Sequence, residues 1–258
     1  MFKATFLDIV LLKKTLEVLN FKDFLQFATL YIEHDGIHIQ SMDSERVSMM
    51  DIKLSKDYMS EFETSRPIAL SIDLENLCKI FKCSVSNGTC KMNFKEEKPD
   101  ILTIQFYILN KKKSEFKLKL LKRDSLDEQP LTMSETKYKS VLNISNIQEF
   151  NKLCNDFLSL EDTLKITYEK ATTSLELSNS SMSVKNNLSE QDIMSFTRGF
   201  TIDSDTSVNI SLKYFSWCLK LSLFTNTANL YIDNVLPIFF IANDQFVETR
   251  FMLSIKTF

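Results

Sequence analysis

Two histidines, His34 and His38, flank an Asp-Gly pair in the stretch EHDGIH, and they are the only imidazoles in the chain. Imidazole binds metals and moves protons near neutral pH, so this is the first place to look for chemistry. The spacing argues for a hairpin instead, with His38 opposite Glu33 across a two-residue loop. No metal or cofactor site is expected here. The five cysteines, Cys78, Cys83, Cys90, Cys154 and Cys218, are scattered and contain no CxxC pair, which reads as reduced, mostly buried thiols and not as zinc ligands. Three glycines, Gly36, Gly88 and Gly199, are too few for a dinucleotide fingerprint or a phosphate-binding loop. No nucleophile elbow and no H-E-x-x-H helix occurs. The chain is therefore expected to be no enzyme, with binding as its business.

The charge pattern points to what is bound. Four helical stretches, 9–22, 74–83, 146–156 and 212–221, hold eight lysines: Lys13, Lys14, Lys22, Lys79, Lys82, Lys152, Lys213 and Lys220. They hold four acids, Glu17, Glu75, Glu149 and Asp156, within a chain whose net charge is −3. A lysine surplus confined to helices suits a polyanion. Lysine without arginine or interleaved aromatics suits loose phosphate contact, not base reading. A solvated lysine face on a non-DNA structural scaffold is the plainer alternative.

The elements that must carry these side chains follow from periodicity. Helices are expected over roughly 9–20, 73–82, 146–156 and 211–221, with Asp73, Asn146 and Ser211 as N-caps. Most of the remainder alternates like half-buried strand, as in ATLYIEHDGIHIQ and ILTIQFYIL. The order helix-then-strands recurs, so the chain reads as an α+β protein of two similar halves, each made of two helix-plus-sheet units. The expected division is 1–121, a linker at 122–138 and 139–258. That linker, KRDSLDEQPLTMSETKY, has no period, seven charged residues and three large aliphatic side chains, Leu126, Leu131 and Met133. No apolar run of about 18 residues exists, and the N-terminus lacks the order of a secretory signal, so no membrane partner and an intracellular location are expected. One stretch breaks the alternation without a turn glycine: GIHIQSMDSERVSMMDIKL, whose middle is both charged and rich in methionine.

These blocks carry a resemblance. MFKA followed by LLKKTLEVL, then GIHIQSMDSERVSM, then LCKIFKC, closely resemble the eukaryotic sliding-clamp family, proliferating cell nuclear antigen, while EFNKLCND and LKYFSWCLK match its later helices more loosely. The resemblance runs over the whole chain. It implies the DNA-clamp fold in a nuclear homotrimeric ring, with helices inside and sheets outside. Such a ring would act in DNA replication and repair as a processivity factor and docking platform. The implied partners are duplex DNA without sequence preference, further copies of the chain, and DNA polymerase, clamp loader and other proteins bearing a glutamine-aliphatic-aromatic-aromatic motif (the PIP box). A subunit of a heterotrimeric checkpoint clamp is the alternative within the same family. DNA would be contacted by the eight helix lysines above and by Lys112. The partner-peptide groove would use Met42, Arg46 and Met49 of the connector, Leu131 and Met133 of the linker, and Pro237, Met252, Ser254 and Ile255. Met252 replaces a tyrosine common in the family, and Ser254-Ile255 an Ala-Pro pair. Methionine suits a surface that must repack around several partners. The subunit seam would involve Phe116, Lys117 and Leu118 from one edge and Met182 and Val184 from another. Lys170 would be the counterpart of the lysine used for ubiquitin attachment.

Overall fold

The computed structural model of the chain describes residues 1–19, 25–84, 88–109, 111–122, 130–132, 138, 140–170, 174–187, 197–202, 205–223 and 225–256. It divides into two compact units. The first comprises Met1–Thr132 with Gln245–Glu248, and the second Met133–Asp244 with Thr249–Phe258.

The first unit runs β1 (Phe2–Phe6), α1 (Val10–Leu19), β2 (Phe27–Glu33), β3 (Gly36–Met42), β4 (Ser48–Ser55), β5 (Glu61–Thr64), β6 (Ile68–Asp73), α2 (Leu74–Lys82), β7 (Thr89–Phe94), β8 (Ile101–Ile108) and β9 (Lys111–Lys119). The second runs β10 (Ser140–Ile144), α3 (Ile147–Leu158), β11 (Thr163–Glu169), β12 (Ser174–Ser178), β13 (Ser183–Asn187), β14 (Thr197–Ile202), β15 (Thr206–Ser211), α4 (Leu212–Cys218), β16 (Ala228–Ile232), β17 (Ile238–Asn243) and β18 (Val247–Leu253). The expected repeat is present in the topology. The strand orders β5-β1-β7-β8-β9 and β4-β3-β2-β6 in the first unit become β14-β10-β16-β17-β18 and β13-β12-β11-β15 in the second. Raising every label by nine converts one set into the other. The fold is α+β.

Each helix forms where an apolar stripe at helical spacing meets a sheet. Leu12, Leu16 and Leu19 of α1 are buried, as are Leu77 and Phe81 of α2. Phe81 stands edge-on to Phe106 of β8, with ring centroids 5.3 Å apart. In the second unit Phe150 of α3 meets Phe215 of α4 edge-on at 6.0 Å, and Trp217 meets Phe251 of β18 at 5.3 Å. Such aromatic pairs add about 0.5–1.5 kcal/mol each beyond the area they bury.

Two caps form as the sequence indicates. Asp73 accepts a hydrogen bond from Asn76 N at 2.8 Å, and Asn146 accepts from Gln148 N and Glu149 N at 3.2 and 3.3 Å. The third differs. Ser211 makes no side-chain cap; instead its hydroxyl donates to the Asp162 carboxylate. Asp162 caps α4 from outside the helix, its Oδ1 accepting from Lys213 N at 2.7 Å and its carbonyl from Leu212 N at 2.6 Å. A carboxylate is the stronger acceptor at a helix N-terminus, so it takes the role from the neighbouring hydroxyl. The helix itself is shorter than expected, giving way to a 3₁₀ turn over Leu219–Leu223.

The β2–β3 hairpin also differs by two residues from its expected register. Glu33 pairs with Gly36, and His38 pairs with Tyr31. His38 reaches Glu33 only diagonally, Nε2 to Oε2 at 3.6 Å. Gly36 cannot be replaced here: its φ is +154°, and a Cβ would lie 2.0 Å from the Leu54 carbonyl oxygen. Elsewhere, side chains of Asp and Asn shape the turns. Asp8 accepts from Val10 N at 2.7 Å, Asn179 from Ser181 N and Met182 N at 2.9 and 2.7 Å, and Asp233 from Val235 N and Leu236 N at 2.9 and 3.2 Å.

Candidate functional site

The connector between β3 and β4 is organised by a buried carboxylate. Asp43 is 3% exposed. Its Oδ1 accepts from Ser48 N at 2.5 Å and from the Ser48 hydroxyl at 3.0 Å, and its Oδ2 from Glu45 N at 3.0 Å. Its carbonyl accepts from Arg46 N at 3.0 Å, while Arg46 takes a left-handed φ of 58°. A side chain thus builds a turn that would otherwise call for glycine. This explains one of the connector's three charges. The other two, Glu45 and Arg46, are exposed.

The methionines divide. Met42 and Met49 face each other across the β3–β4 ladder, but Met42 is half-buried and Met49 is 2% exposed. Leu131 is 55% exposed, and its backbone is held by Gln40 of β3 through two hydrogen bonds of 2.9 Å. Met133 lies outside the described residues. In the second unit Pro237, Met252, Ser254 and Ile255 are all partly exposed. The Pro237 carbonyl accepts from the Tyr138 hydroxyl. Burial pushes the Tyr138 phenol up to about 12, so it stays a donor at any ordinary pH.

The end of the chain is locked to Asp162. Lys256 Nζ donates to Asp162 Oδ2 at 3.0 Å and to the Thr163 hydroxyl at 2.9 Å, and Lys256 N donates to the Asn209 carbonyl at 2.7 Å. Burial disfavours the charged Asp162. The Lys213 amide, the Ser211 hydroxyl and the Lys256 ammonium outweigh that and hold its carboxyl below the usual range. A depressed folded-state pKa gives stability that is present above the ordinary carboxylate pKa and lost as pH falls through the folded value. Asp162→Asn is therefore expected to cost about 1–2 kcal/mol near neutral pH, the range of a lost cap. It should also flatten the acid side of the stability profile. Urea unfolding followed from neutral to acid pH checks both effects.

The lysines fall into three groups. Lys82, Lys152 and Lys213 are exposed on α2, α3 and α4, and Lys14 is half-exposed on α1. Lys14, Lys82 and Lys152 form no ion pair among the described residues. Lys13, Lys79 and Lys112 are engaged within the chain. Lys13 donates to the Ser84 carbonyl at 3.0 Å beyond the end of α2, Lys79 pairs with Glu75 at 2.8 Å, and Lys112, on a strand and not a helix, pairs with Glu115 of the same β9. Lys220 is partly buried, and that burial lowers its pKa. Lys22 lies outside the described residues.

Both expected seam strands are terminal in their strand orders: β9 ends the five-stranded sheet and β13 the four-stranded one. Phe116 is half-buried against Phe106 at 6.0 Å, and Lys117 is exposed. Leu118 is only 5% exposed and belongs to the unit's core. Met182 and Val184 are partly exposed. Lys170 is exposed at the end of β11, its N–H donating to Asp205 Oδ1 at 2.8 Å.

Little here could react. Cys78, Cys90 and Cys154 are buried free thiols, and Cys83 is exposed. Burial pushes the Cys78 thiol up to about 11 and raises Cys90 and Cys154 further, which suppresses the nucleophilic thiolate. Glu33, Asp35 and His38 bring one potential ligand atom each within 4.8 Å of the others. A cation of the chain's own is already there, since Lys53 Nζ donates to Asp35 Oδ2 at 2.6 Å. Gln40, Asp43 and Asp162 are the residues that sequence reasoning missed. Only Asp43 left a signal, as an aspartate opening a turn without glycine.

Comparison with known proteins bears on the family of the chain. The family model described as proliferating cell nuclear antigen, N-terminal domain, matches residues 1–129. The chain is 26% identical over 244 residues to the proliferating cell nuclear antigen of Caenorhabditis elegans, covering 92% of this chain and 90% of that protein. It is 28% identical over 173 residues to the protein of the same name from Saccharomyces cerevisiae, covering 67% of this chain and 64% of that one.

Proposed function

The chain belongs to the proliferating cell nuclear antigen family, and from that premise we propose that it is a sliding clamp: three copies close into a ring around duplex DNA and tether DNA polymerase and other replication and repair proteins in the nucleus. The observation that carries this reading is the placement of Lys14, Lys82, Lys152 and Lys213 on the four helices of an acidic chain. Exposed lysines without arginine or stacking aromatics make contacts to phosphate that are individually weak. Weak contacts are an advantage if the ring supplies retention by topology and has to move along the duplex. No bond is made or broken, so no catalytic group is required.

Partner docking is proposed for the first unit at Leu131, Met42 and Arg46, which stand partly or largely exposed on the linker and connector. In the second unit, Pro237, Met252, Ser254 and Ile255, each partly exposed, are proposed separately as partner-contacting residues. A short peptide with one aliphatic and two aromatic anchors suits such apolar groups.

The test is topological. Protein placed on nicked circular duplex by a clamp loader is expected to stay with the DNA through gel filtration in high salt, and to be released when the circle is cut once. Retention on the cut, unblocked linear DNA would mean ordinary adhesion and would remove the ring from the reading.

A further inference from the structure

Gln40 belongs to the polar alternation of β3, where it pairs with Thr29 of β2 and Asp51 of β4, yet it is only 7% exposed. Its carboxamide is spent on one distant residue. Nε2 donates to the Leu131 carbonyl at 2.9 Å, and Oε1 accepts from Leu131 N at 2.9 Å. This is the double exchange that a hydrogen-bonded residue pair makes between antiparallel strands, with a side-chain amide in place of the second backbone. Leu131 itself lies in no strand. Its side chain remains 55% exposed although both of its backbone polar groups are satisfied.

A backbone that is fully paired beneath an apolar side chain that is displayed is an unusual combination. Fixing a loop residue's backbone costs roughly 1–2 kcal/mol in conformational entropy. When the protein holds the residue before the ligand arrives, that cost does not fall on binding. We infer that Gln40 is the positioning residue for partner capture: its carboxamide latches the linker to β3 at Leu131 and presents the leucine side chain as a fixed anchor for an incoming apolar peptide. The inference rests on the docking reading above and assigns a role to a residue whose own side chain is almost fully buried. It also accounts for a buried glutamine that the core does not need. An uncharged group offering one donor and one acceptor side by side matches a peptide unit, and among the side chains only asparagine shares that pairing; asparagine is one methylene shorter.

Two variants of the full chain test it. Gln40→Met keeps the length and removes both hydrogen bonds; Gln40→Glu keeps the acceptor and loses the donor. The probe is a synthetic peptide carrying a glutamine-aliphatic-aromatic-aromatic motif, measured by calorimetry, together with amide hydrogen exchange at Leu131 and the urea midpoint. In Gln40→Met the Leu131 amide is expected to exchange at least about tenfold faster. Peptide affinity is expected to fall about tenfold, the loss of roughly one to two net hydrogen bonds' worth of ordering. Gln40→Glu should retain part of the Leu131 protection but bind the peptide less well than wild type. Unchanged exchange in both variants would show that no latch operates in solution. Faster exchange with unchanged peptide affinity would leave the latch in place and overturn its positioning role. A loss of affinity matched by a fallen urea midpoint in both variants would make Gln40 merely structural. If the wild-type protein does not bind the peptide while its Leu131 amide is protected, the docking reading fails, and the inference fails with it. That outcome differs from a latch that fails in a protein that binds.

Discussion

Reversing Lys14, Lys82, Lys152 and Lys213 to glutamate together is expected to abolish retention and sliding on duplex DNA while the ring still forms. One lies on each of the four helices and all are half-exposed or exposed; Lys14, Lys82 and Lys152 form no ion pair among the described residues. A ring of three would lose on the order of ten phosphate contacts. Contacts of that number make affinity fall by roughly 10³–10⁵-fold between low and moderate salt. The variant's residual DNA binding should therefore be nearly independent of salt, where the wild type's falls steeply. The matching reversal of Lys13, Lys79 and Lys112 is expected to do much less to DNA binding, because those side chains are already engaged. Filter binding across a salt series, with light scattering to confirm the ring, separates the two sets. Normal processivity in the quadruple variant would remove the helices from the DNA-facing surface.

Placing a carboxylate at the seam should have an effect of similar size on a different property. Val184→Glu puts a charge on β13, a strand at the end of its sheet whose outer edge has no strand partner among the described residues. If that edge pairs with β9 of a neighbouring copy, the charge is buried at every seam. An uncompensated buried charge costs about 3–5 kcal/mol, which is roughly two to three and a half decades in dissociation constant. The variant is expected to be a monomer at micromolar concentration, with an unaltered urea midpoint for each unit, where the wild type is a trimer. Phe116→Glu should do the same with an added cost in stability, because Phe116 also packs on Phe106. A wild-type chain that is monomeric alone would point to a hetero-oligomeric clamp.

What could be read from the sequence was local, and what could not was remote. Asp73 and Asn146 sit beside the amides they cap, so those helix starts were legible. Ser211 also sits beside its helix, but Asp162, 49 residues earlier, takes its place. Alternation correctly sets Gln40 on the polar face of β3. It cannot show that a residue 91 positions away covers that face. Lysine counts revealed a cationic tendency on the helices, but not that Lys13 is held by a carbonyl 71 residues on. The doubled topology was visible because it is a repeat of local order. The hairpin register was missed by two residues, since Gly36 belongs to the ladder and the loop is His34-Asp35. A shift of two keeps every side chain on its expected face, so the apolar pattern could not have revealed it.

The turns made by aspartate and asparagine side chains reach beyond the native geometry, into the chain before it folds. At average usage a protein of this length would hold roughly 18 glycines; this one holds three. Each glycine exchanged for a residue that tolerates the same native backbone narrows the unfolded ensemble by about 0.4–1 kcal/mol. Asp43, Asn179 and Asp233 hold tight turns by hydrogen bonding and keep a Cβ that restrains the denatured backbone. The chain therefore begins its search for the native state from a smaller set of conformations than its length suggests. Its stability against heat draws in part on disorder it never had.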